Sequence, residues 1–79
     1  MYLLADLLER IERTLPFDVA ATRRYGQIRA ELEMSRTPIG DADLRIAAIA
    51  SAKGLTVVTG NVRPFRRVPG LTVENWLET

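Results

Sequence analysis

Apolar residues recur at helical spacing through the first half of the chain. Over residues 2–14, leucine and isoleucine lie mostly three or four positions apart with charged residues between them, which is typical of an amphipathic helix. A second apolar stripe runs over residues 18–35, and it begins at Asp18, a residue type that caps helix N-termini. We therefore predict two helices that each turn one apolar face to a core.

The third predicted helix differs because it is apolar on nearly every side. Its sequence, DADLRIAAIASAK, is typical of a buried helix, and Gly54 follows it as glycine commonly follows a helix C-terminus. The β-branched run at residues 55–59 predicts a buried strand, and residues 71–74 predict a short second one. The predicted fold is therefore α/β, with three helices followed by a strand and a second short strand, which is half of a parallel sheet.

Composition narrows the function classes without identifying one. The chain of 79 residues suits at most one domain, and a hydrophobic content of 47% is that of a folded protein. It contains neither cysteine nor histidine, which excludes disulfides, thiolate metal sites and a histidine base. The net charge of +1 indicates no particular partner. No stretch resembles a signal peptide or a membrane span, so we predict a cytoplasmic protein.

Candidate chemistry lies at the start of the third helix and at the end of the following strand. Asp43 lies in the first turn of that helix, and Asn61 follows the strand after one glycine. Sites in open α/β sheets form outside the carboxyl ends of strands, so we expect Asp43 and Asn61 to lie close together. Asp43 could instead be an acid that only interacts with the helix dipole. We interpret Asp41 as the N-cap of the helix.

The segment after Asn61 is basic. Arg63, Arg66 and Arg67 lie within five residues, and such a group could hold phosphates by opposite charge. An ordinary basic loop is an equal alternative. Near the end of the chain, Trp76 is expected to pack on the end of the sheet.

In this order and spacing, the segments TPIGDADLRIAA, KGLTVVTGNVRPF, VPGL and ENW resemble the C-terminal half of a PIN domain, in particular the VapC toxins of toxin–antitoxin pairs. The resemblance implies an endoribonuclease dependent on Mg2+ or Mn2+, with RNA as substrate and a VapB-type antitoxin as partner. It implies that Asp43 and Asn61 are catalytic, metal-ligating positions. Many members carry another acid where this chain has Pro64.

The resemblance also implies that the N-terminal part of the family's domain is missing. The family begins with a strand ending in an invariant Asp, followed by helices bearing an invariant Glu, and residues 2–14 match material after that Glu. Residues 1–79 are therefore predicted to be the C-terminal part of a PIN-like domain, truncated and inactive alone because half of the acids are absent. The alternative is a non-catalytic module that dimerises or binds the antitoxin. A small helical DNA-binding protein is a third, weaker interpretation.

The missing strand leads to a prediction about assembly. Without it, the strand at residues 55–59 would have an open edge, and open edges template pairing with another chain. We therefore expect a homo-oligomer, most simply a two-fold dimer.

Overall fold

The computed structural model describes residues 1–15 and 17–76, except for the side chains of residues 7–9 and 12. Three strands form one parallel sheet in the order β1-β2-β3, with β2 in the middle. The α/β class with a small parallel sheet is thereby confirmed. The elements in chain order are β1 (Tyr2–Leu4), a 3-10 turn (Ala5–Leu7), α1 (Leu8–Thr14), α2 (Val19–Met34), α3 (Asp41–Lys53), β2 (Thr56–Thr59), α4 (Val62–Arg66) and β3 (Val73–Asn75).

The start of the chain departs from the sequence prediction. The helix predicted over residues 2–14 begins only at Leu8, because residues 2–4 form a strand that pairs in parallel with β2, Leu3 opposite Val57. Leu3 is buried, whereas Tyr2 and Leu4 on either side of it are exposed, and this alternation is that of a strand. All three residues are apolar, so the sequence hid the alternation and the leucine spacing suggested a helix instead.

The strand β1 also removes the basis of the assembly prediction. Because β1 and β3 pair with opposite sides of β2, the open edge predicted for this strand does not exist. The apolar side chains of Ile11, Ile46 and Ile49 are buried within the chain as well. The homo-oligomer remains an untested prediction whose original grounds were wrong.

Helix α3 forms the centre of the core, as its sequence predicted. Its buried residues are Leu44, Ile46, Ala47, Ala48, Ile49 and Ala50. The helix packs mainly against α2, whose N-terminus is capped by Asp18: the carboxylate accepts a hydrogen bond from the backbone N–H of Ala21 at 2.9 Å. Gly54 ends α3 with φ +66°, where its N–H donates to the carbonyl of Ala50. The left-handed conformation explains the glycine.

Helix α4 was not predicted from the sequence. Pro64 argued against a continued strand, but it is the third residue of a five-residue helix, where a backbone N–H would have no partner within the helix anyway. Phe65 on the same helix is buried and belongs to the hydrophobic core. Within the described ranges, no helix is long and apolar enough to cross a membrane.

The alternation in β1 gives a direct test of this strand. Leu3→Ala should lower the free energy of unfolding by about 2–5 kcal/mol, as expected for truncation of a buried leucine. Leu4→Ala, its matched control on the exposed face, should change the free energy of unfolding by about 0.5 kcal/mol or less. Urea unfolding followed by circular dichroism measures both. Similar losses for the two variants would contradict the strand, since a helix would place both leucines in one apolar stripe.

Candidate metal centre

Asp6 lies just beyond β1 and is held against the end of β2. Its Oδ1 accepts a hydrogen bond from the hydroxyl of Thr59 at 3.3 Å, and its Oδ2 accepts one from the backbone N–H of Gly60 at 3.4 Å. Parallel strands bring their carboxyl ends to the same edge of a sheet. The pairing of β1 with β2 therefore places an acid at this edge.

Asp43 approaches the same edge from the first turn of α3. Its side chain is partly buried, and this burial raises the pKa of the Asp43 carboxyl above its ordinary value. The negative charge of Asp6 raises the pKa of Asp43 further, so the two carboxylates are close enough to repel each other. Asp6 and Asp43 thus form a pair of acids that are distant in sequence.

Asn61 is joined to this pair through Thr59. The backbone N–H of Asn61 donates to the Thr59 hydroxyl oxygen at 3.0 Å, and the same hydroxyl donates to Asp6. Asn61 precedes α4, yet its side chain makes no capping hydrogen bond to that helix. The contacts of the structure thus link Asn61 to Asp6, while its direct approach to Asp43 stays a prediction.

The three arginines that were predicted to hold phosphates have different environments. Arg67 donates from Nη1 to the backbone carbonyl of Pro38 at 3.1 Å, so it ties the loop before α3 to the loop after α4. Arg63 and Arg66 lie on α4 and are exposed. A phosphate-binding role therefore suits Arg63 and Arg66 better than Arg67.

Asp41 has a role other than the predicted one. The N-cap of α3 is Gly40, and the Asp41 carboxylate instead accepts a hydrogen bond from the hydroxyl of Tyr25 at 2.6 Å, which raises the pKa of Tyr25. Asp41 and Tyr25 line a cleft of about 290 Å³ between α2 and the start of α3, and neither Asp6 nor Asp43 lines it. Asp41 is therefore separate from the acid pair.

The acid pair fits a hard divalent cation. Carboxylate and amide oxygens are ligands for such ions, and Mg2+ is commonly held by one or two carboxylates together with waters and substrate phosphates. A cation between Asp6 and Asp43 would also remove their mutual repulsion. Among the described residues, no group of three or more acids or histidines gathers in one place, so Asp6 and Asp43 are the two carboxylates that would hold such an ion.

Comparison with known proteins gives one consistent result. The chain is 46% identical over 69 residues to the tRNA(fMet)-specific endonuclease VapC of Salmonella typhimurium and 44% identical over 69 residues to the ribonuclease VapC2 of Rickettsia felis. Each match takes in 87% of this chain but only 52% and 51% of the two relatives. The chain thus spans about half the length of these curated relatives. No protein-family model matches it.

Solved structures show the same relationship. The crystal structure of DNA-bound VapBC from Salmonella typhimurium matches 96% of this chain and 75% of its own chain, with a TM-score of 0.75 and 33% identity. The chain belongs to the VapC-type PIN-domain family. The structure of VapBC2 from Rickettsia felis bound to a promoter DNA fragment matches 87% of this VapC-family chain, with a TM-score of 0.72 and 40% identity.

Sequence reasoning missed Asp6. The resemblance to the VapC family implies a strand ending in an acid, but the leucine spacing of residues 2–14 predicts a helix at the start of this chain. The letters MYLLAD do not decide between the two, because a short apolar run ended by an acid is consistent with a strand as well as with a helix. The structure therefore brings Asp6, which the sequence pattern did not indicate, to the same edge of the sheet as Thr59 and Gly60 in this VapC-family chain.

Repulsion between Asp6 and Asp43 predicts how this VapC-family chain responds to pH. A carboxyl whose pKa is raised by folding favours the fold when protonated, and that contribution is lost as the pH rises through the folded-state pKa. Without divalent ions, Asp43→Asn should therefore have a higher free energy of unfolding than the wild type at pH 7, and the difference should shrink towards pH 3. Urea unfolding at both pH values measures it.

Addition of a cation should reverse the difference. Mg2+ at ten times its dissociation constant should raise the free energy of unfolding of the wild type by about 1.4 kcal/mol, the mass-action value for a ligand of the folded state. Asp43→Asn should gain much less. Asp41→Asn is the matched control in the same helical turn and should gain as much as the wild type. Equal gains in all three proteins would contradict the site.

Proposed function

We propose that this VapC-family chain is an endoribonuclease that acts with a divalent cation, Mg2+ or Mn2+, held by Asp6 and Asp43. The observation that carries the proposal is the parallel pairing of β1 with β2, which brings Asp6 to the start of α3. Relatives that are named ribonucleases support it. Because the chain spans only about half of their length, their activity is proposed for it rather than transferred.

Each residue of the site has a distinct task in this proposal. Asp6 and Asp43 bind the ion, and the Thr59 hydroxyl and the Gly60 N–H fix the orientation of the Asp6 carboxylate. Asn61 adds an amide oxygen at the same edge. When bound, such an ion lowers the pKa of water and stabilises negative charge on a phosphate.

The exposed arginines of α4 extend the site towards the RNA. Arg63 and Arg66 lie on the helix that directly follows Asn61, so their charges attract the phosphate backbone to the acid pair. Attraction of this kind does not depend on the base sequence and weakens with salt. We expect these arginines to contribute to affinity rather than to choice of cleavage site.

A VapB-type antitoxin is the proposed protein partner, because the solved relatives are VapBC structures. A toxin nuclease that cuts cellular RNA would act in the cytoplasm, which agrees with the location predicted from the sequence.

The structure changes the basis of the prediction that the chain is inactive alone. That prediction counted a single carboxylate, Asp43, whereas Asp6 supplies a second, and two carboxylates are enough for a cation that also binds substrate phosphate. We therefore propose that the isolated chain cleaves RNA, although weakly because its acid cluster is small.

The test is cleavage of a structured RNA by the purified chain with Mg2+ or Mn2+. Asp6→Asn and Asp43→Asn should each lower the cleavage rate by about 100-fold or more, since loss of the ion removes several kcal/mol of transition-state stabilisation. Asp41→Asn, outside the site, should retain the wild-type rate. A wild-type chain that binds the ion without cleaving would favour the non-catalytic alternative, and equal cleavage by all variants would reveal a contaminating nuclease.

A further inference from the structure

Trp76 follows β3 at the same edge of the sheet that carries the acid pair. In the β2–β3 pairing Thr59 lies opposite Asn75, so Trp76 comes next to Gly60. A Cβ built on Gly60 would lie 3.0 Å from the indole Nε1 of Trp76 and 3.8 Å from Oδ2 of Asp6. The indole Nε1 of Trp76 and the Oδ2 of Asp6 therefore both lie near the Cβ position of Gly60. The distance between these two atoms is at most the sum of the two distances.

The indole is both positioned and accessible. Its Nε1 edge rests over Gly60, where the absence of a side chain permits the contact, and so Trp76 does lie on the end of the sheet as the sequence suggested. Nevertheless, 52% of its surface is exposed. The described part of the chain thus carries a large aromatic surface directly beside the proposed metal site.

We infer that Trp76 is a stacking platform for a nucleobase of bound single-stranded RNA, next to the phosphate held at Asp6 and Asp43. The inference rests on the proposed function and adds to it the residue that positions the strand. Proteins that bind single strands combine a positively charged path for the backbone with aromatic side chains on which bases stack. Here Arg63 and Arg66 supply the charge, and Trp76 supplies the aromatic surface.

The location of Trp76 predicts which nucleotide would stack on it, which a general hydrophobic contact would not. A base stacked on the indole would belong to a nucleotide adjacent to the phosphate at the acid pair, because the indole and Asp6 approach the same glycine. Stacking tolerates different bases, since every base has an aromatic face. Trp76 should therefore fix the position of the strand over the acids and favour unpaired substrates.

The chain offers a direct probe, because Trp76 is its only tryptophan. The ligands are a seven-nucleotide 2′-O-methyl RNA and an abasic oligonucleotide of the same length and charge, titrated with Mg2+ and checked on a gel for intactness. The base-bearing strand should quench the fluorescence of Trp76, and the abasic strand should not. Fluorescence anisotropy of labelled strands measures affinity in the variants that lack tryptophan.

Trp76→Ala should weaken binding of the base-bearing strand by about tenfold, the effect expected for one lost stacking contact, and should leave the affinity for the abasic strand unchanged. Trp76→Phe, which keeps an aromatic ring, should retain most of the affinity. Tyr2→Ala is the matched control, because Tyr2 is an exposed aromatic residue at the opposite end of β1; its affinities should equal those of the wild type.

Three results would overturn the inference, and they are distinguishable. If the wild type binds both strands equally and Trp76→Ala changes neither affinity, the stacking role is wrong while the nuclease proposal stands. The same holds if Trp76→Ala loses only the binding of a VapB-type antitoxin, which would assign the indole to a protein contact. If the wild type binds neither strand, the proposed function fails together with the inference.

Discussion

The parallel pairing of β1 with β2 is the contact on which the site depends. It spans only three residues on β1, and Thr56 adds a hydrogen bond from its N–H to the carbonyl of Met1 at 2.9 Å. So short a pairing is weak by itself, and burial of Leu3 in the core anchors it. Because the strand is fixed in register, Asp6 comes to the end of β2, and the rest of the site follows from that position.

Local signals explain what could be predicted from the sequence. An aspartate that caps α2, a helix that is apolar on every side and a glycine that ends it are each determined by residues a few positions apart, and these elements were predicted correctly. The pairing of β1 joins residues more than 50 positions apart. No local pattern encodes it, and the three apolar letters of this strand agree equally well with a helix. Because β1 is not predicted from the sequence, the position of Asp6 at the end of β2 is not predicted either. The sequence therefore predicted only part of the candidate site.

The proximity of Asp6 and Asp43 also lowers the stability of the folded state. Asp43 is carried by the most deeply buried helix of the described chain, so the core fixes the position of its backbone. The fold therefore holds two like charges together, although such repulsion weakens the folded state. Sites that break a rule of stability are often functional. A cation held between the two carboxylates would offset this repulsion, which is why we propose metal binding rather than a structural role for the pair.

Paramagnetic broadening by Mn2+ tests the central claim most directly, since it reports where the ion binds without depending on activity. In 15N-labelled protein at substoichiometric Mn2+, the account predicts that the backbone amide signals of residues 5–7, 42–44 and 59–61 broaden first and together, and that Asp6→Asn abolishes this pattern. Broadening that leaves residues 5–7 sharp, or that persists unchanged in Asp6→Asn, would contradict a metal site built by the pairing of β1 with β2.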